Sequence, residues 1–343
     1  MGGWHPGQLL FAGFHGTELP EDLAGEISAG RIGGAILFAR NVETPEQVRR
    51  LVAALHDAAP DDHPLTVAID QEGGRVQRLR APWTEWPPMR RLGESGRTDD
   101  SRAVGRGLGR ELADLGIDLD FTPCVDVDTN PDNPVIGDRS FARSPEDVSE
   151  HAVALLEGLQ GEGVAGCAKH FPGHGDTHLD SHVALPRVDH DLERLRSVEL
   201  PPFRALSAAG VASMMTAHVI VSCLDPERPA TLAPDALRLL REDVGFDGLV
   251  FGDDFEMAAI AEHYGAAEAA RLAIEAGCDA LLVCSRTDMR AEVLQALESL
   301  PDATLEAPAR RLAAFKTRYA GGRHTRDVAP PYTEHQTLAR RLA

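Results

Sequence analysis

The chain has 343 residues, enough for two average domains or one large barrel, and long enough to bury a substantial core. Acidic residues outnumber basic ones 54 to 34, a net charge of −20, which argues against non-specific binding to nucleic acid or to an anionic membrane. Cysteines 124, 167, 223, 278 and 284 are scattered, odd in number and form no C-x-x-C pair, so they read as reduced thiols of a cytoplasmic protein. The start, Met1-Gly2-Gly3-Trp4-His5-Pro6, has no charged opening and no long apolar core. No signal peptide and no membrane span is expected.

Short apolar runs alternate with helical patterns along the whole chain. The runs are 9–13, 34–38, 65–70, 117–121, 164–169, 213–217, 249–253 and 280–283. After the second run, Thr44-Pro45-Glu46-Gln47 opens a helix. Thr44 is its N-cap, Pro45 takes the first helical position and Gln47 completes a capping box. Val48, Leu51, Val52 and Leu55 follow as the apolar stripe. Gly105-Arg106-Gly107-Leu108-Gly109 lacks the G-x-G-x-x-G spacing and precedes a strand, so it is no nucleotide loop. Ser144-Pro145-Glu146-Asp147 opens another helix in the way Thr44 does. Eight near-continuous runs, each usually followed by a helix, fit parallel strands buried on both faces. The expected fold is α/β, a (β/α)8 TIM-type barrel in a single domain over residues 1–320. The rival is an open doubly wound sheet. Residues 321–343 form a C-terminal extension.

In a barrel, chemistry gathers at the carboxyl ends of strands. Those ends are Asp70, Asp120, Lys169-His170, His218 and Asp253. Asp120 and Asp126 read as hydrogen-bonded anchors. Asp253 and Asp254 are neighbours on a strand, so they should point to opposite sides: one faces the mouth and the other braces the next turn. Gly73 and Gly74, just after Asp70, permit a tight loop above the mouth. The densest segment is Lys169-His170-Phe171-Pro172-Gly173-His174-Gly175-Asp176-Thr177-His178-Leu179-Asp180-Ser181-His182. Its histidines recur every fourth residue, as helical metal ligands would. Pro172, Gly173 and Gly175 rule out that helix, so the segment is a loop.

These residues resemble glycoside hydrolase family 3, in particular its β-N-acetylglucosaminidases of the cell-wall recycling type. The resemblance rests on Lys169–Thr177 with Asp180-Ser181-His182, on Asp70-Gln71-Glu72-Gly73-Gly74-Arg75, on Asn133–Phe141, on Met215-Thr216-Ala217-His218-Val219 and on Asp253-Asp254. It covers nearly the whole chain. It implies that Asp253 is the nucleophile and that His182, paired with Asp180, is the general acid and base. It also implies that Asp70, Arg139, Lys169 and His170 hold the sugar hydroxyls. Gly252 stands where the family has serine, so a supporting hydrogen bond of that pattern has no side chain to make it. Residues 333–343 resemble the helix that leads into a second domain in two-domain relatives.

The chemistry is sound without the family. Retention needs a carboxylate to attack the anomeric carbon and an acid to protonate the leaving oxygen. A histidine suits the second task because it titrates near neutrality, and an aspartate can orient it. The resemblance implies a retaining exo-β-N-acetylglucosaminidase acting on N-acetylglucosamine-containing muropeptides, with no cofactor, metal, nucleic acid or membrane partner. Two alternatives stand beside it. One is a metal-dependent hydrolase on the same barrel, using the histidines and aspartates of 170–182 with His218 and Asp253. The other is an inactive sugar-binding protein.

Overall fold

A strand that is apolar along its whole length needs cover on both faces, and a ring of such strands inside a ring of helices supplies it. The computed structural model describes residues 4–178, 185–322 and 328–343. Among these, eight strands close into a barrel: β1 Leu10–Gly13, β2 Gly34–Leu37, β3 Thr66–Ile69, β4 Leu119–Asp120, β5 Ala165–Phe171, β6 Ser213–Thr216, β7 Leu249–Asp254 and β8 Ala280–Val283. Every neighbouring pair is parallel, and β8 returns to β1 with Leu281 opposite Leu10. Each strand is followed by a helix, so the chain is a (β/α)8 barrel. The ring is filled with side chains. Phe251 of β7 meets Phe11 of β1 and Phe121 edge-on, with ring centroids 4.9 and 5.4 Å apart.

The helix starts follow from local chemistry. Thr44 Oγ1 accepts from Gln47 N–H at 3.1 Å, and Ser144 Oγ accepts from Asp147 N–H at 3.1 Å. The Gln47 side chain departs from the expected box: it accepts from Glu43 N–H at 2.9 Å, one residue before the cap. Its amide also donates to the carbonyls of Thr17 and Asn41, which draws it past Thr44. Val48, Leu51, Val52 and Leu55 are all buried.

The glycine run 105–109 lies inside helix Thr98–Leu115 and packs on helix Pro145–Gly161. A Cβ would sit 2.0 Å from the Leu155 carbonyl oxygen at Gly105 and 2.7 Å from that of Leu159 at Gly109, so these two glycines let the backbones approach, while Gly107 makes room for Trp86. The same helix receives the C-terminal helix Thr333–Leu342. Tyr332 OH donates to Asp114 Oδ2 at 3.1 Å, His335 Nδ1 lies 2.8 Å from Glu111 Oε1, and Arg341 pairs with Asp100 at 2.7 Å. No described helix is long and apolar enough to cross a membrane. All five cysteines are free thiols, with Cys223 exposed and the others buried.

Candidate active site

One cavity of about 210 Å³ opens where the strands end. Ile36, Phe121, Met215 and Leu282 give it apolar lining, while Asp70, Arg78, Arg139, Lys169, His170, His174, Asp253 and Asp254 give it charge. Five of the residues picked out by sequence, Asp70, Arg139, Lys169, His170 and Asp253, thus meet in one place. Asp180 and His182 lie outside the described residues.

Lys169 sits at the end of β5 and is almost fully buried, so its ammonium needs partners. It lies 2.7 Å from Asp70 Oδ1 and 2.7 Å from Glu72 Oε1. Arg139 grips Glu72 with two bonds, Nε to Oε2 at 2.9 Å and NH2 to Oε1 at 2.8 Å. Arg78 donates to Asp70 Oδ2 at 3.1 Å. Burial alone would raise the Glu72 carboxyl, but Arg139 and Lys169 hold it far below the usual carboxylate range. Burial opposes the Lys169 charge too, yet Asp70 and Glu72 keep its ammonium above the usual lysine range. Glu72 and Arg78 were missed as site residues by sequence reasoning. Glu72 stands in the quoted run, but its partners Arg139 and Lys169 come from distant segments; Arg78 lies three residues beyond the run and pairs with Asp70 of the same loop. The short hairpin that carries them, Gln71–Gly73 against Val76–Gln77, turns through Gly73 and Gly74 at φ of 103° and 56°.

Asp126 is the hub behind the cavity wall. Its Oδ2 accepts from His170 Nδ1 at 2.7 Å, from His170 N–H at 3.2 Å and from the Cys124 thiol at 3.2 Å. Its Oδ1 accepts from His174 N–H at 2.6 Å. Burial disfavours its charge, but His170 and these donors hold the carboxyl down at about 2. His174 is pushed down to about 4, chiefly by burial. Its Nδ1 lies 2.7 Å from Thr177 Oγ1. Asp120 is an anchor as expected: fully buried, it accepts from Gln71 N–H at 2.8 Å, and burial pushes its carboxyl well up.

Asp253 and Asp254 both line the cavity, at a point where the register of β7 against β8 shifts between Phe251 and Asp254. Asp254 does brace the turn: its Oδ1 accepts from Glu256 N–H at 3.1 Å and its carbonyl from Met257 N–H at 3.1 Å. Asp253 Oδ1 accepts from Asp254 N–H at 2.8 Å.

His218 is buried beneath this turn rather than in the cavity, with Nδ1 2.8 Å from Thr231 Oγ1 and Nε2 3.0 Å from the Asp254 carbonyl. It therefore cannot join Asp253 in a metal site without breaking one of these bonds and turning toward the cavity. Cys124, Asp126 and His170 do bring three possible ligand atoms within 4.8 Å of one another. Those atoms are already spent on mutual hydrogen bonds, and the Arg139 guanidinium lies 3.4 Å from His170 Nε2. A cation would have to displace the bonds and tolerate the arginine.

Comparison with known proteins matches residues 6–315 to the glycosyl hydrolase family 3 N-terminal domain. A β-hexosaminidase of Nitrosomonas eutropha is 41% identical over 290 residues, covering 82% of each chain. A family 3 β-N-acetylglucosaminidase from Paenibacillus sp. superposes with a TM-score of 0.93 at 40% identity, over 98% of this chain and 67% of its own. NagZ from Neisseria gonorrhoeae, solved in complex with N-trifluoroacetyl-D-glucosamine, gives 0.84 at 35% identity over 99% of this chain and 97% of its own.

Proposed function

Because the chain belongs to glycosyl hydrolase family 3, and is thus a glycoside hydrolase, we propose that it is a cytoplasmic, retaining exo-β-N-acetylglucosaminidase that removes terminal N-acetylglucosamine from peptidoglycan fragments. The observation that carries this reading is the meeting, in one cavity, of the Asp253 carboxylate with a fixed set of sugar-binding groups. Asp70 supplies acceptor oxygens, and Lys169, Arg78 and Arg139 supply donors, each held in place by an ion pair before substrate arrives. The N-acetylglucosamine analogue held by the Neisseria relative supports the choice of sugar.

In this mechanism Asp253 attacks the anomeric carbon as His182, oriented by Asp180, protonates the leaving oxygen. A glycosyl ester on Asp253 results. His182 then takes a proton from water, which attacks the anomeric carbon, displaces the Asp253 carboxylate and releases the sugar with its β configuration. The overall change is addition of water across the glycosidic bond.

A panel of aryl β-glycosides tests the reading. The N-acetylglucosaminide should be cleaved faster than the matching glucoside by at least about a hundredfold, since a pocket built for the acetamido group leaves polar atoms unpaired without it. Activity should survive a strong chelator and be unchanged by added phosphate. Equal rates on the two sugars would contradict the proposed specificity. Loss on chelation with recovery on zinc would favour the metal-dependent alternative, and binding without turnover the inactive one.

A further inference from the structure

His170 borders the cavity, yet what it offers a sugar depends on which ring nitrogen carries a proton. Asp126 Oδ2 lies 2.7 Å from Nδ1, and the same carboxylate takes the backbone N–H of His170 and of His174. A carboxylate that is charged and fully buried can only accept, so the Nδ1 side of the ring must donate. On the other side, Arg139 NH2 faces Nε2 at 3.4 Å. A guanidinium has donors only, so Nε2 meets it with a lone pair.

We propose that Asp126 is a positioning residue for the reaction: it fixes His170 as the Nδ1–H tautomer, so that Nε2 exchanges its long contact with Arg139 for a hydrogen bond accepted from a glycone hydroxyl. Lys169, Arg78 and Arg139 are all donors, and Asp70 already receives two of them. A second acceptor lets the wall take a hydroxyl proton where Asp70 is occupied. The role given to Nε2 rests on the sugar-binding reading of this cavity; the tautomer itself does not.

The test uses the full chain labelled with 15N-histidine. Two-bond 1H–15N correlation spectra distinguish the tautomers, and His170→Asn identifies the signals of residue 170. The wild-type enzyme should show Nδ1–H at His170. Asp126→Asn can present its amide N–H to Nδ1, which would drive the proton to Nε2. That variant should show the Nε2–H form and a loss in kcat/KM on an aryl N-acetylglucosaminide of about 10- to 100-fold. The loss should fall mainly on KM, because the hydroxyl bond is present in the ground state as well as the transition state. Cys124→Ala removes another donor to the same carboxylate and should leave the tautomer in place. An Nε2–H or doubly protonated His170 in the wild-type spectrum would overturn the proposal, whether or not Asp126→Asn folds. So would a tautomer switch that leaves KM unmoved, since Asp126 would then be a loop anchor alone. A wild-type enzyme with no turnover of N-acetylglucosaminides would overturn the proposed function and the role of Nε2, with the tautomer still read from the spectrum.

Discussion

Asp254 is half-buried beside Glu256 and Asp253, and that burial first, then those charges, push its carboxyl up to about 7. Between the ordinary carboxylate range and that value the folded protein keeps a proton that the unfolded chain releases. Stability is therefore lost as pH rises through this window, and the penalty is complete above 7. Asp254→Asn removes the titration while keeping an oxygen for Glu256 N–H. Calorimetry at several pH values should find the melting temperature of the variant rising relative to wild type between pH 5 and 8, by a few degrees at the upper end. A pH-independent difference would mean that Asp254 does not ionise in this window. Its activity should fall much less than that of Asp253→Ala, which loses the proposed nucleophile.

Gly252 shows what a sequence marks without explaining. The missing serine stands out, but the reason for glycine does not. A Cβ there would lie 2.9 Å from Phe255 Cε2 and 3.1 Å from Thr231 Cγ2, so these neighbours fill the space a side chain would need. Lys169, His170 and Asp70 were legible because each closes an apolar run. Glu72 and the four-bond role of Asp126 were not, because their partners converge only when β3, β4 and β5 pair; Arg78 reaches Asp70 only through the turn at Gly73 and Gly74.

At the scale of elements, the strands were the most legible part. All eight apolar runs became barrel strands, because a buried parallel strand is written as an uninterrupted apolar stretch. The glycines at 105–109 were rightly set aside as a nucleotide loop, but their use in helix packing depends on a partner helix that begins only at Pro145. The C-terminal helix is a further case, since its dock on helix Thr98–Leu115 is made by side chains with no local pattern. Tyr332→Phe removes the hydroxyl that donates to buried Asp114. It should lower stability by about 1–2 kcal/mol, seen as a shift in the urea midpoint, and leave kcat/KM unchanged. An unmoved midpoint would mean that the tyrosine hydroxyl contributes nothing to the dock.

Across the whole molecule the net charge is −20, while the cavity wall carries Lys169, Arg78 and Arg139. Those cations are matched internally by Asp70 and Glu72, so the proposed sugar binding rests on fixed bond geometry rather than on net field. Closure of the barrel brings Asp253 from β7 to face groups from β3 and β5, and that meeting underlies the proposed chemistry. The most direct test is to trap the covalent intermediate. The enzyme would be incubated with a slow 5-fluoro N-acetylglucosaminide, digested, and its peptides mapped by mass spectrometry. The account predicts one added glycosyl unit on the peptide containing Asp253, on the carboxylate of that residue. Label on any other residue, or product released with inverted configuration and no label at all, would contradict it.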